Sequence, residues 1–147
     1  MSYTQIYYHI VFSTKNRTPC MTKQKREDLY KYIWGVLTNK NCHLYRINGV
    51  EDHLHILTHL HPTVTLADMV KDIKLSSSDW IKENGIFKRF SGWQKGYGAF
   101  TAAQKDKDRI IRYIKNQEKH HHKKSFKEEL RKLLEEAGIE FDEKYLV

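Results

Sequence analysis

The chain has 147 residues, enough for one compact domain that buries a real core without disulfides or a structural metal. Its two cysteines, Cys20 and Cys42, form no CxxC pair and imply neither a zinc knuckle nor a disulfide framework, which fits a reducing cytoplasm. No apolar run nears the roughly 18–20 residues of a membrane span and Met1-Ser2-Tyr3-Thr4-Gln5 is not a signal peptide, so a soluble, cytoplasmic protein with no membrane partner is expected. The net charge of +8 is uneven: residues 1–50 and 105–132 carry +6 each, residues 51–104 are neutral, and residues 133–147 carry −4. With 12% aromatic residues, such a chain is suited to a polyanion, because lysine and arginine release counterions from phosphates and aromatic faces stack on bases.

Residues 5–13, QIYYHIVFS, are β-branched and aromatic and predict a first strand, ended by the turn-like segment 14–19. Leu29, Ile33, Val36 and Leu37 fall at helical spacing between Thr22 and Thr38. Residues 42–49 predict a second strand, and Asn48-Gly49 reads as a hairpin turn into a third strand over 52–60. Thr65 with Asp68 resembles a capping box that opens a helix striped by Leu66, Met69, Val70, Ile73, Ser77, Trp80 and Ile81 and stopped by Gly85. Residues 93–100, WQKGYGAF, predict a fourth strand. A second capping box, Thr101 with Gln104, launches a helix to about His122, and a third, Ser125 with Glu128, starts a final helix that Gly138 ends. Phe141, Tyr145 and Leu146 in the acidic tail are read as docking on the body, with Leu130, Leu133, Leu134 and Ile139 as core or docking surface.

The order βαββαβ plus two helices predicts an α+β fold of the split-βαβ, ferredoxin-like or RRM-like kind. That is one domain over 1–147: an antiparallel sheet with two helices on one face, an open second face, an added helix and a C-terminal helix with its tail over 125–147. The third strand would be central. Alternation then sends Leu54, Ile56 and Leu60 toward the covering helices and leaves His53 and His55 together on the open face.

Tyr113 and Gln117, four residues apart on the added helix, would share one of its faces. Two imidazoles, an amide carbonyl and open positions for phosphate oxygens and water make a site for Mg²⁺ or Mn²⁺ that is completed by its substrate. Tyr113 supplies a nucleophile whose phenol, ordinarily of pKa about 10, needs help from the cation or a base. The bland readings stand beside this one: histidines on a strand surface and a tyrosine half-buried between helices.

The pattern Asp52-His53-Leu54-His55-Ile56-Leu57 followed by Tyr113-Ile114-Lys115-Asn116-Gln117 resembles the HUH endonuclease superfamily, in particular the small single-tyrosine transposases of bacterial insertion sequences (the insertion sequence 200/605 type). The resemblance extends to residues 8–15, 93–100 and His120-His121. It implies His53, His55 and Gln117 as metal ligands and Tyr113 as nucleophile. It further implies cleavage of single-stranded DNA near hairpins at element ends, a 5′-phosphotyrosine intermediate, a free 3′-hydroxyl, and a homodimer in which the tyrosine helix of one subunit completes the histidine site of the other.

Around this set, His9 is read as a satisfied core histidine or a support for the site, and His120 or His121 as lining the DNA groove or holding a ligand through a hydrogen bond. His59 and His61 are read as surface. Arg109, Arg112, Lys15, Arg17 and Lys95 are candidate DNA contacts. Two rival functions are a non-catalytic RRM-like protein that grips single strands on an open sheet face, and a metal-dependent hydrolase with a water nucleophile and no protein–DNA adduct.

Overall fold

The computed structural model describes residues 2–146, without the side chains of residues 120–122 and 145. Its elements are β1 (Tyr7–Ser13), α1 (Lys23–Asn39), β2 (Leu44–Gly49), β3 (His53–His59), α2 (Leu66–Asn84), β4 (Gly98–Ala102), α3 (Lys107–Lys115), α4 (Gln117–Lys123) and α5 (Phe126–Glu136). The four strands form an antiparallel sheet in the order β2-β3-β1-β4, the ferredoxin-like order expected, with β1 and β3 central.

Strand alternation sorts the two faces. Ile10 and Phe12 of β1 and Leu54 and Ile56 of β3 meet Leu29, Ile33 and Leu37 of α1 and Met69, Val70, Ile73 and Ile81 of α2 in the main core, which Leu60 also joins. Each such side chain taken fully out of water contributes about 1.5–3 kcal/mol before entropy is charged against it. Thr65 caps α2 by accepting from the Asp68 amide at 3.1 Å, and Gly85 closes the helix at φ 58°. Both cysteines are free and buried, and among the described residues no helix is long and apolar enough to cross a membrane.

The second face is not open. On it Tyr7 and Leu57 pack against Ile110 and Ile114 of α3, while α5 lays Phe126 over His53 with ring centroids 4.5 Å apart. The expected open sheet is covered because the apolar faces of α3 and α5 find a partner only there.

Four local expectations are corrected. Gly49 is not a turn residue: β2 runs through it to pair with Leu54, and the chain reverses over 50–52, with the Val50 amide donating to the His53 carbonyl at 3.1 Å. Glycine is required at this place because a Cβ would lie 2.5 Å from the His53 carbonyl oxygen. Thr101 lies in β4, so the box with Gln104 does not form; a 3-10 turn, Gln104–Asp106, leads into α3 instead. The fourth strand starts at Gly98, five residues later than expected, because Trp93 only bridges Thr14 and residues 94–97 turn against α2. Finally, the added helix is broken at Asn116 (φ −95°, ψ 20°) into α3 and α4, with Tyr113 before the break and Gln117 after it.

Candidate active site

β3 delivers His53 and His55 to the second face two residues apart, and both are fully buried there. β1 delivers His9 beside them; its Nε2 lies 2.9 Å from His55 Nδ1, one nitrogen donating and the other accepting. From the other side of His53, the ring Nδ1–H donates to Asp52 Oδ1 at 2.7 Å. Both imidazoles are thus oriented through their Nδ1 atoms, and both turn Nε2 toward the same point.

That point is occupied by the Glu129 carboxylate of α5. Its Oε1 accepts from His55 Nε2 at 2.7 Å and from His53 Nε2 at 3.1 Å. Its Oε2 accepts from the Tyr113 hydroxyl at 2.5 Å and from the Gln117 amide at 3.3 Å. Gln117 is buried, and its Oε1 stands 3.4 Å from His53 Nε2. Within a single chain, then, the structure brings together His53, His55, Tyr113 and Gln117.

The break at Asn116 is what aims Gln117. Asn48 of β2 donates its side-chain amide to the carbonyls of Ile114 and Lys115, each at 3.1 Å. It thereby satisfies the last acceptors of α3, which a helix end otherwise leaves orphaned. The Tyr30 hydroxyl in turn donates to Asn48 Oδ1 at 3.3 Å.

The electrostatics follow from burial and these partners. Burial pulls the His53 pKa down, but the hydrogen bonds and charges of Asp52 and Glu129 outweigh it and raise it to about 9. His9, desolvated and beside His55, is lowered to about 3 and stays neutral. Burial raises the Glu129 carboxyl, yet the bonds from His53 and His55, the charge of His55 and the Tyr113 bond hold it well below the usual carboxylate range. Burial and the negative Glu129, which also accepts its proton, push the Tyr113 phenol far above its ordinary value.

His53, His55 and Glu129 each offer a ligand atom, all within 4.8 Å of one another. Two imidazole nitrogens with carboxylate and amide oxygens suit a divalent cation such as Mg²⁺ or Mn²⁺. Beside them a cleft of about 270 Å³ is walled by Arg109, Lys123, Lys124 and Lys132 and floored by Tyr113 and Glu129.

The remaining candidates are scattered. Arg109 reaches the cleft, pairing with Asp106 at 3.6 Å, whereas Arg112 is exposed and is not among the residues that line it. Lys15 and Arg17 form a short 3-10 turn just after Ser13, the β1 residue paired with His53. Lys95 lies instead in a groove against α2, with Lys71 and Tyr97, on the far face of the sheet. His120 and His121 belong to α4, and their side chains fall outside the described residues, as does that of Tyr145. His59 ends β3 half-buried.

Three participants were not singled out from the sequence: Asp52, Asn48 and Glu129. Glu129 left a readable trace, since Phe126, Glu129, Leu130 and Leu133 are spaced i, i+3, i+4 and i+7, which places a carboxylate within the inner stripe of α5.

Residues 2–117 match the family model described as "Transposase IS200 like". The chain belongs to the IS200-like transposase family. It is 27% identical over 115 residues to the transposases for insertion sequence element IS200 of Salmonella typhimurium and Salmonella typhi, the alignment covering 75% of this chain and 75% of theirs. Among solved structures it resembles a Deinococcus radiodurans R1 protein assigned as a transposase (TM-score 0.62, 21% identity, 79% of this chain and 93% of the other). A REP-associated tyrosine transposase bound to a REP hairpin is also similar (TM-score 0.58, 14% identity, 79% and 68%). As an IS200-like transposase the chain is a DNA-cleaving and DNA-transferring enzyme. The family match ends at Gln117, so α5 and Glu129 lie beyond it.

Proposed function

We propose that this transposase is a metal-dependent, single-strand-specific DNA endonuclease and strand transferase that works through a 5′-phosphotyrosine on Tyr113 at hairpin-bearing element ends. One observation carries the reading: a phenol, two imidazole Nε2 atoms and a buried amide converge on a single point beside a basic cleft.

In this reading His53, His55 and Gln117 hold the cation. Mg²⁺ or Mn²⁺ there would supply Lewis-acid stabilisation of the charge that builds on the scissile phosphate. Asp52 and His9 fix the two imidazole rings through Nδ1, so that both Nε2 atoms face the cation. Arg109, Lys123, Lys124 and Lys132 bind the phosphates on either side of the break and hold the strand against Tyr113. The Tyr113 oxygen gives up its proton as it forms the new bond to phosphorus, and the 3′-oxygen departs, taking up a proton to become a hydroxyl. The energy of the phosphodiester is kept in the phosphotyrosine, and a 3′-hydroxyl reverses the step to join strands without ATP. The resemblance also supports a homodimer that shares its active sites, although the single chain already assembles one complete set.

The covered sheet face counts against the non-catalytic RRM-like alternative, since stacked bases need an open platform and α3 and α5 occupy it. The deciding experiment mixes the protein and Mg²⁺ with end-labelled single-stranded DNA carrying the hairpin that borders its own insertion element. An adduct that survives SDS is expected, and Tyr113→Phe abolishes it. Cleavage retained by that variant would refute the nucleophile, and free 5′-phosphate ends without adduct would point to a water nucleophile.

A further inference from the structure

We infer that Glu129, supplied by α5 from outside the region shared with the family, is a further protein ligand of the metal and ties the nucleophile to it through its second carboxylate oxygen. The inference rests on the metal site proposed above and extends it by one residue.

Around a cation with ligands at about 2.1 Å, neighbouring ligand atoms stand roughly 3.0–3.4 Å apart in octahedral or tetrahedral arrangements. Glu129 Oε1 is 3.1 Å from His53 Nε2 and 2.7 Å from His55 Nε2, while Gln117 Oε1 is 3.4 Å from His53 Nε2. These are close to the edges of one coordination shell. Oε1 thus sits where both Nε2 atoms point, at distances that fit a hydrogen-bond acceptor and equally a neighbouring ligand of one shell.

The other oxygen has its own partner, the Tyr113 hydroxyl at 2.5 Å. One carboxylate so bridges the proposed cation position and the Tyr113 hydroxyl. α5 is built to hold it there. Ser125 accepts from the Glu128 amide at 3.2 Å to start the helix, and Phe126 is buried against His53. Glu129 follows one turn later on the same stripe and is itself 6% exposed. A charged side chain buried this deeply needs compensating partners, and every partner found for it belongs to the site.

The contrary possibility is that the carboxylate only fills the place of the ion and must leave before one binds. Calorimetric titration of the full chain with MnCl₂, without DNA, separates the two, and the Mn²⁺ electron paramagnetic resonance spectrum provides a second readout. One Mn²⁺ per chain is expected. Glu129→Ala should weaken binding by about 10–100-fold and change the spectrum, with Glu129→Gln intermediate and Glu128→Ala, on the exposed side of α5, unchanged. Circular dichroism of each variant checks that the helix content is unchanged. Unchanged or tighter binding by Glu129→Ala, while His53→Ala loses the ion, would overturn the role of Glu129 and leave the histidine metal site standing. If the wild-type chain binds no Mn²⁺ in this titration or in a repeat with single-stranded DNA present, both fall.

Discussion

His53 stands between two carboxylates, Asp52 at Nδ1 and Glu129 at Nε2, and this arrangement fixes its behaviour with pH. Its folded pKa, about 9, lies above the ordinary 6.5, so the folded state binds the proton more tightly than the unfolded chain does. The stability it contributes to the metal-free protein is fully present below pH 6.5 and is lost as pH rises through 9. Urea unfolding in the presence of a chelator should show this decline between pH 6.5 and 9, and His53→Gln should flatten it; a parallel decline in that variant would contradict the assignment. The sequence displayed the imidazole pair plainly because period-two alternation is a local property. Glu129 was hidden because it approaches from an element 74 residues beyond His55, and only the interruption of the apolar stripe of α5 hinted at it.

Among the elements, the break between α3 and α4 matters most, because it sets Tyr113 and Gln117 on separate helices. The apolar positions of this stretch end at Ile114, and the polar residues 115–122 give no sign of where the helix stops; the end of α3 is held by Asn48, on a strand 66 residues upstream of Ile114. An Asn-Gly pair ordinarily marks a turn. Here the asparagine serves as a helix C-terminal hydrogen-bond donor, and the glycine admits the His53 carbonyl. Asn48→Ala removes three hydrogen bonds, two to the end of α3 and one from Tyr30, of about 0.5–1.5 kcal/mol each. It should lower stability by about 1.5–4 kcal/mol in chemical denaturation and, by releasing Gln117, weaken Mn²⁺ binding. Unaltered metal affinity in that variant would mean that Gln117 is aimed by other contacts. The two N-caps that do form, at Thr65 and Ser125, were legible because donor and acceptor lie within one turn, whereas Thr101 was drawn into pairing with Tyr8 in β1.

At the scale of the whole molecule, the strand order could be inferred from the element order, while the covering of the second face could not. An amphipathic helix declares which of its faces is apolar but not which surface it will find. The basic block of residues 105–132 becomes meaningful once folded, because Arg109, Lys123, Lys124 and Lys132 come from three segments to wall one cleft at Tyr113. If that cleft carries a single strand, the logarithm of affinity should fall linearly with the logarithm of salt concentration, with a slope of about 0.7 per phosphate neutralised. Lys123→Ala and Lys132→Ala should each reduce the slope by about that amount in fluorescence-anisotropy titrations, and Lys95→Ala, on the opposite face, should not. Equal effects from all three would show that the strand does not follow the cleft.

β3 carries two trades on its two sides: even-numbered Leu54 and Ile56 belong to the interior, odd-numbered His53 and His55 to the chemistry. A slip by a single position during folding would exchange them, driving imidazoles into grease and aliphatics to the side of Tyr113. Under the mechanism proposed above, a copy in that register would lack the paired imidazoles, so the strand pairing that keeps the protein stable is the same one that its chemistry would require.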